Sequence, residues 1–244
     1  MTVPPVPPHL PVTVAETALE HLTEDLVPAA QDFAVKISGS PASELGELLA
    51  DKVRYRRWKN QVRIVNKATK YAQEAGIDPQ SVKLTVLTPL LENAANEEDE
   101  SMANRWAALL ANAASNDGAE ISPSFPATLA RLSPMDAQVL DAVHVALSKL
   151  AGLHVGVTGV QAGQIAEHYG WPAGDVLISF EILQAAGLCA SGSPAMVEAE
   201  KGKPKQGLLG SDRSYVIETE FGRRFLEACT PPAQGRPTTE SSAP

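Results

Sequence analysis

Cysteine is scarce in this chain: Cys189 and Cys229 are the only two in 244 residues. Two thiols cannot build a disulfide framework, which excludes the small secreted scaffolds and points to a reducing cytoplasm. Aromatic residues make up only 5%. Alanine is abundant instead, a bias that favours helix packing over a sheet sandwich. No apolar run approaches the roughly 18 residues that span a bilayer. The N-terminus shows no basic start followed by an apolar stretch, so no signal peptide is expected. Cations are outnumbered: 20 Lys and Arg against 29 Asp and Glu give a formal charge of −9. That balance argues against a generally basic nucleic-acid coat protein. The hydrophobic share of 44% suits a globular protein that buries a core. The length allows one large domain or two small ones at about 100–200 residues each.

Catalytic signatures are missing as well. His9, His21, His144, His154 and His168 are scattered, with neither an HExxH motif nor Cys/His metal spacing. Gly156, Gly159 and Gly163 form no phosphate loop, and no GxSxG elbow is present. The EEDE run at 97–100 lacks the alternating carboxylates of a calcium loop. Cys189 and Cys229 read as buried, inert thiols. No catalytic residue, cofactor or metal ligand is assigned, and the expectation is a protein that is not an enzyme.

The two ends read as disordered tails. Residues 1–11 hold five prolines, and residues 231–244 are rich in Pro, Ser and Thr with almost no apolar anchor. Between them, residues 12–132 read as a helical domain. Helical spacing runs from Val12 to about Ser38, with a break or kink at Pro28. A long helix follows from about Glu44 to Ala75, stopped by Gly76. Further helices are expected from Leu84 to Ala95, with Pro89 tolerable in a first turn, and from about Ser101 to Ala114. A short turn carries Phe125 and Leu129.

The long helix holds the densest charge. Eight of the twenty Lys and Arg residues fall between positions 52 and 70. Lys52, Arg56, Lys59, Arg63, Lys67 and Lys70 step by three or four, which places them on one stripe. Tyr55, Trp58, Val62, Val65, Ala68 and Ala72 take the roughly opposite side, and Trp58, Val62 and Val65 are expected to be buried. The stripe is either a solvated face or a contact for an anionic partner: nucleic acid, an acidic protein face or an anionic membrane surface. The acidic run of Glu92, Glu97, Glu98, Asp99 and Glu100 has two explanations of its own. It can cap the helix beginning near Ser101, or it can pair internally with part of the stripe.

Residues 133–230 read as a second domain. Ser133, Pro134 and Asp136 open a helix with a cap, a proline at its first position and an acid in its first turn. A second helix is expected to open at Thr158, and a third runs from about Ala173 to Ala186. A flexible segment and a strand at 214–219 precede a closing helix at 220–228. Three helices, short strands around a wing and a last helix is the order of a winged helix-turn-helix. The fold class expected is therefore mainly α: an N-terminal helical domain, then a small α+β winged helix-turn-helix-like domain. In that arrangement the third helix reads DNA. Here it contains Asp175 and Glu181, with Gln184 its sole long amide and no Lys or Arg. The wing offers Lys201, Lys203, Lys205 and Arg213 as backbone contacts. Over 133–230 the count is seven basic and eleven acidic residues, a net −4, which disfavours sequence-specific DNA binding.

Several blocks occur in a recognisable order. They are Glu44-Leu45-Gly46, the run from Asp51 to Trp58, Pro89 to Asn93, Trp106 to Ala113 and Pro123 to Leu140. Together they resemble the Abi-alpha family of bacterial abortive-infection proteins over about positions 39–145. The opening Ser40-Pro41 stands where the family pattern has Gly-Pro. The resemblance implies a role in defence against phage and no agreed active-site residues. Two functions follow as expectations. The first is a non-enzymatic interaction protein of such a system, binding an anionic partner through the basic helix, with a protein partner or an oligomer. The alternative is a nucleic-acid-binding regulator that uses the basic helix and the wing.

Overall fold

A computed structural model describes residues 32, 36, 55–115, 121–151, 159–192 and 214–233, with backbone alone at 55, 56 and 151. Apart from residues 32 and 36, everything before Tyr55 lies outside the described residues, as do the onset of the helix expected at Thr158, the expected wing and the tail beyond 233. The chain is mainly helical: eight helices and three short strands are found among the described residues. Contacts divide it into two compact units, one reaching Pro123 and taking in Pro231 onward, the other Ser124–Thr230.

The first unit holds α1 (Tyr55–Ala75), α2 (Leu84–Ala94) and α3 (Glu100–Ala113). Gly76 ends α1 with a φ of +69°, which glycine adopts without a Cβ clash. Its left-handed turn lets Ile77 N donate back to Ala72 O at 2.9 Å, closing the helix end. α3 starts on Asp99, whose carboxylate accepts from the amides of Ser101 and Met102. The core side of α3 carries Met102, Trp106, Leu109 and Leu110, all fully buried. Ala103, Ala107 and Ala111 beside them are buried too, as are Ala68 and Ala72 of α1. Small side chains on both helices allow a close approach of their backbones.

Pro89 sits deeper than expected. It is the sixth residue of α2, beyond the first turn in which a proline costs nothing. An interior proline costs about 3 kcal/mol. Leu87, Leu90 and Leu91 are all buried on this helix, and each contributes roughly 1.5–3 kcal/mol by leaving water. Burial therefore outweighs the lost backbone bond. Asn93 Nδ2 also donates to Pro89 O at 2.7 Å.

The second unit runs α4 (Phe125–Leu129), α5 (Pro134–Ala151), β1 (Val160–Gln161), α6 (Ala162–Tyr169), α7 (Ala173–Ala185), β2 (Cys189–Ser191), β3 (Tyr215–Glu218) and α8 (Glu220–Ala228). The strands form an antiparallel sheet of order β1-β3-β2, with Val160 opposite Val216 and Ala190 opposite Ile217. Val160 and Gln161 were expected inside a helix. They form a strand because buried Val160 meets buried Val216, a pairing that helical spacing cannot anticipate. Phe125 of α4 stands edge-on to Phe221 and Phe225 of α8, at centroid distances of 5.3 and 5.5 Å.

Two local devices fix this unit. Asp136 is buried, and its carboxylate accepts from Ser133 N at 2.8 Å, Ser133 Oγ at 2.7 Å and Ser179 Oγ at 2.7 Å. The cap of α5 is thereby tied to the middle of α7, with each carboxylate oxygen supplied by a donor. At α8, Thr219 Oγ1 accepts from Gly222 N at 2.9 Å and donates to Gly187 O at 2.7 Å. A Cβ on Gly222 would lie 2.0 Å from Leu188 O, so only glycine fits this approach.

Candidate functional site

The basic stripe is the first candidate. Lys52 and the side chain of Arg56 lie outside the described residues. Lys59 and Lys70 are exposed, and Lys70 approaches Glu74 at 3.7 Å. Arg63 and Lys67 are half-buried and occupied within the first unit. Arg63 Nη2 donates to Glu97 O at 2.8 Å, and Nη1 reaches Glu100 Oε2 at 3.4 Å. Lys67 Nζ donates to Glu100 Oε1 at 2.5 Å and to Asn104 Oδ1 at 2.8 Å. The Lys67 hydrogen bond, more than any other contact, holds the Glu100 carboxyl below the usual carboxylate range. Asp99 is lowered as well, first by the Ser101 hydroxyl.

Three further side chains of α1 share this work. Arg57 Nη2 donates to Glu92 O at 3.4 Å, Asn60 Nδ2 to Ala95 O at 3.1 Å and Gln61 Nε2 to Leu91 O at 3.0 Å. Leu91 and Glu92 lie in the last turn of α2 and Ala95 is its C-cap; Leu91 O also accepts from Ala95 N at 3.1 Å, so the Gln61 donor is its second. α1 thus supplies donors to that end, and its cations face the negative pole of the α2 dipole. Both explanations of the acidic run hold at once: Asp99 caps α3, and Glu100 pairs with the stripe. Asn60 and Gln61 were missed as partners; their signal is two amides lying beside the cations on α1. Val62 and Val65 are buried as expected, whereas Trp58 is only half-buried.

The remaining candidates separate by burial. Lys201, Lys203, Lys205 and Arg213 lie outside the described residues. Asp175 and Glu181 of α7 are exposed, while Gln184 Oε1 accepts from Ser191 Oγ at 3.1 Å. Cys189 and Cys229 are buried thiols that form no disulfide with each other, and burial pushes the Cys189 thiol up to about 12. At that value the thiolate nucleophile is not populated near neutrality. His144 Nδ1 lies 2.9 Å from Glu218 Oε2, linking α5 to β3. Among the described residues no three His, Cys, Asp or Glu side chains are grouped to hold a metal ion. A cleft of about 440 Å³ at the end of α1 includes Lys36, Thr69 and Asp78. Several of its polar groups are engaged with protein: Lys36 Nζ donates to Asp78 at 3.0 Å, and Thr69 Oγ1 donates to Val65 O at 2.8 Å. No described helix is long and apolar enough to cross a membrane.

No curated protein and no solved structure matches the chain. A family model described as abortive infection alpha matches residues 59–229, from the stripe of α1 through the last residues of α8. That match covers well over half of the 244 residues, and the chain belongs to the abortive infection alpha family.

Proposed function

We propose that this protein acts in abortive infection as a non-enzymatic interaction protein, limiting phage spread through contacts with a partner. Membership of the abortive infection alpha family carries the reading. The partner contact proposed is the solvent side of α1, where Lys59 and Lys70 are exposed to meet an anionic surface. Arg63 and Lys67 lie between these two along α1 but are engaged by Glu97 and Glu100, so their main role is structural. The second unit is read as a winged-helix arrangement used for packing and protein contact. The absence of Lys and Arg from α7 speaks against its use as a DNA-reading helix.

The test is a phage panel on host cells with and without the protein, scoring phage yield and survival of infected cells. Reduced yield accompanied by death of the infected cells is expected. Unchanged yield across the panel, with folded protein present, refutes the defence role. Retained restriction in a Lys59→Glu/Lys70→Glu variant refutes the basic contact alone.

A further inference from the structure

The surface built by α6, the turn after it and α7 differs from α1 in charge and in its exposed apolar side chains. From residue 159 to residue 192 there is no Lys or Arg. Glu167, Asp175 and Glu181 are all exposed on this stretch. α7 is apolar on more than one side. Val176, Phe180 and Leu183 are buried, yet Leu177 remains 40% and Ile178 57% exposed. Tyr169 is 41% exposed and stacks on Trp171, with centroids 4.6 Å apart and planes 15° from parallel. The five large apolar residues most exposed among the described ones are Leu84, Val145, Tyr169, Leu177 and Ile178. Three of these fall within the short stretch from 169 to 178.

A concentrated apolar patch of this kind marks an interaction surface. Its charge selects the partner. Apart from the exposed His168, the charged side chains along the stretch are carboxylates, so phosphate backbones and anionic bilayers are repelled and a cationic chain is attracted. We propose that the α6–α7 surface docks a basic amphipathic segment of a partner protein, with apolar anchors against Leu177 and Ile178 and Lys or Arg side chains toward Asp175 and Glu181. This surface belongs to the second unit, and the proposal stands whether or not the basic side of α1 binds.

The experiment uses the full chain and fluorescence anisotropy of labelled synthetic peptides. The probe carries Leu at helical i, i+3, i+4 and i+7 spacing with Lys elsewhere. One control replaces Lys by Glu, and the other replaces Leu by Ser. The Leu/Lys probe is expected to bind about tenfold or more tightly than either control. Ile178→Ser, at an exposed position, should keep the circular dichroism of the parent and lose roughly tenfold in affinity. Asp175→Lys with Glu181→Lys should turn the preference toward the Leu/Glu peptide. No binding of the Leu/Lys probe, equal binding to the Ile178→Ser variant, or an unchanged preference after charge reversal overturns the proposal. So does self-association abolished by Ile178→Ser, which assigns the face to a second copy. Binding to anionic phospholipid vesicles abolished by Ile178→Ser also overturns it, by assigning the face to a membrane.

Discussion

α1 and α7 are both helices with an unusual surface, and the contrast lies in how much of that surface the fold already uses. α1 carries six Lys and Arg residues, and α7 carries none. By charge alone α1 is the binding helix. Yet Arg57 and Arg63 donate to carbonyls at and beyond the end of α2, and Lys67 is held by Glu100 and Asn104. α7 has no cation to attract notice, but leaves Leu177 and Ile178 in water. A stripe of charge is therefore a weak sign of a binding site until its partners are counted. Large apolar side chains exposed together on a packed helix are a stronger one, because no packing among the described residues uses them.

The largest expected effect tests the seat of α1. Trp106 is fully buried on α3, the helix against which α1 packs. Trp106→Ala should cost roughly 3–5 kcal/mol by leaving a cavity. Trp58→Ala, at a half-buried position of α1 itself, should cost about 1–2 kcal/mol. Chemical denaturation of the two variants checks the order. Equal losses would place Trp58 in the core and restore the burial that its spacing predicts.

The next effect concerns the ground beneath α7. Gly187 leaves that helix at a φ of +74°, and Leu188 follows, its carbonyl facing Gly222 of α8. Gly222→Ala inserts a methyl where a Cβ would sit 2.0 Å from Leu188 O. The backbone must separate there, at a cost of about 3 kcal/mol. A thermal midpoint within a degree of the parent would show that α8 can shift freely. Leu177 and Ile178 could not then be treated as parts of a fixed surface.

Local signals were legible in the sequence, and long-range ones were not. Gly76 and Gly187 mark helix ends because a left-handed residue is a property of one position. Ser133 and Asp136 mark the start of α5 for the same reason, since the cap closes within one turn. β1 was not legible, because two residues have no period of their own and form a strand only through Val216. Pro89 misled for a related reason: the burial that overrides it comes from the surrounding core. At the candidate site, the stripe and its acidic answer were both visible. Which cations pair depends on the turn between α2 and α3, which brings Glu97 and Glu100 to Arg63 and Lys67. The exposed side of α7 was hidden because apolar residues surround the helix and spacing alone selects no face.

A middle-sized effect separates structural cations from free ones. Arg63→Ala removes a charged donor from Glu97 O and should cost about 1–2 kcal/mol. Lys59→Ala, at an exposed position, should stay within about 0.5 kcal/mol. Charge reversal should widen the gap, because Arg63→Glu also faces Glu100. Equal, negligible losses in urea titrations would return Arg63 to the surface and make the whole stripe available to a partner.

The smallest effect is electrostatic and decides whether Lys67 belongs to the fold. The Glu100 carboxyl is lowered chiefly by the hydrogen bond from Lys67, then by the charges of Lys67 and Arg63. A carboxyl lowered by folding takes up its proton later in the folded chain than in the unfolded one. Its contribution to stability is full above the ordinary value of about 4.3 and is lost as pH falls through the folded value. Glu220 behaves alike in the second unit, lowered to about 2 by hydrogen bonds from Arg223 and Arg224. Carboxyl-carbon NMR titration should place the Glu100 midpoint below the ordinary range and the Glu220 midpoint lower still. Lys67→Met should raise the Glu100 midpoint and leave Glu220 in place, because the cations that lower Glu220 lie on its own helix. Both groups are exposed, so salt should move their midpoints back toward ordinary values. If the Glu100 midpoint ignores Lys67→Met, the ammonium is not committed to it. Lys67 would then rejoin Lys59 and Lys70 as an open contact for an anionic partner.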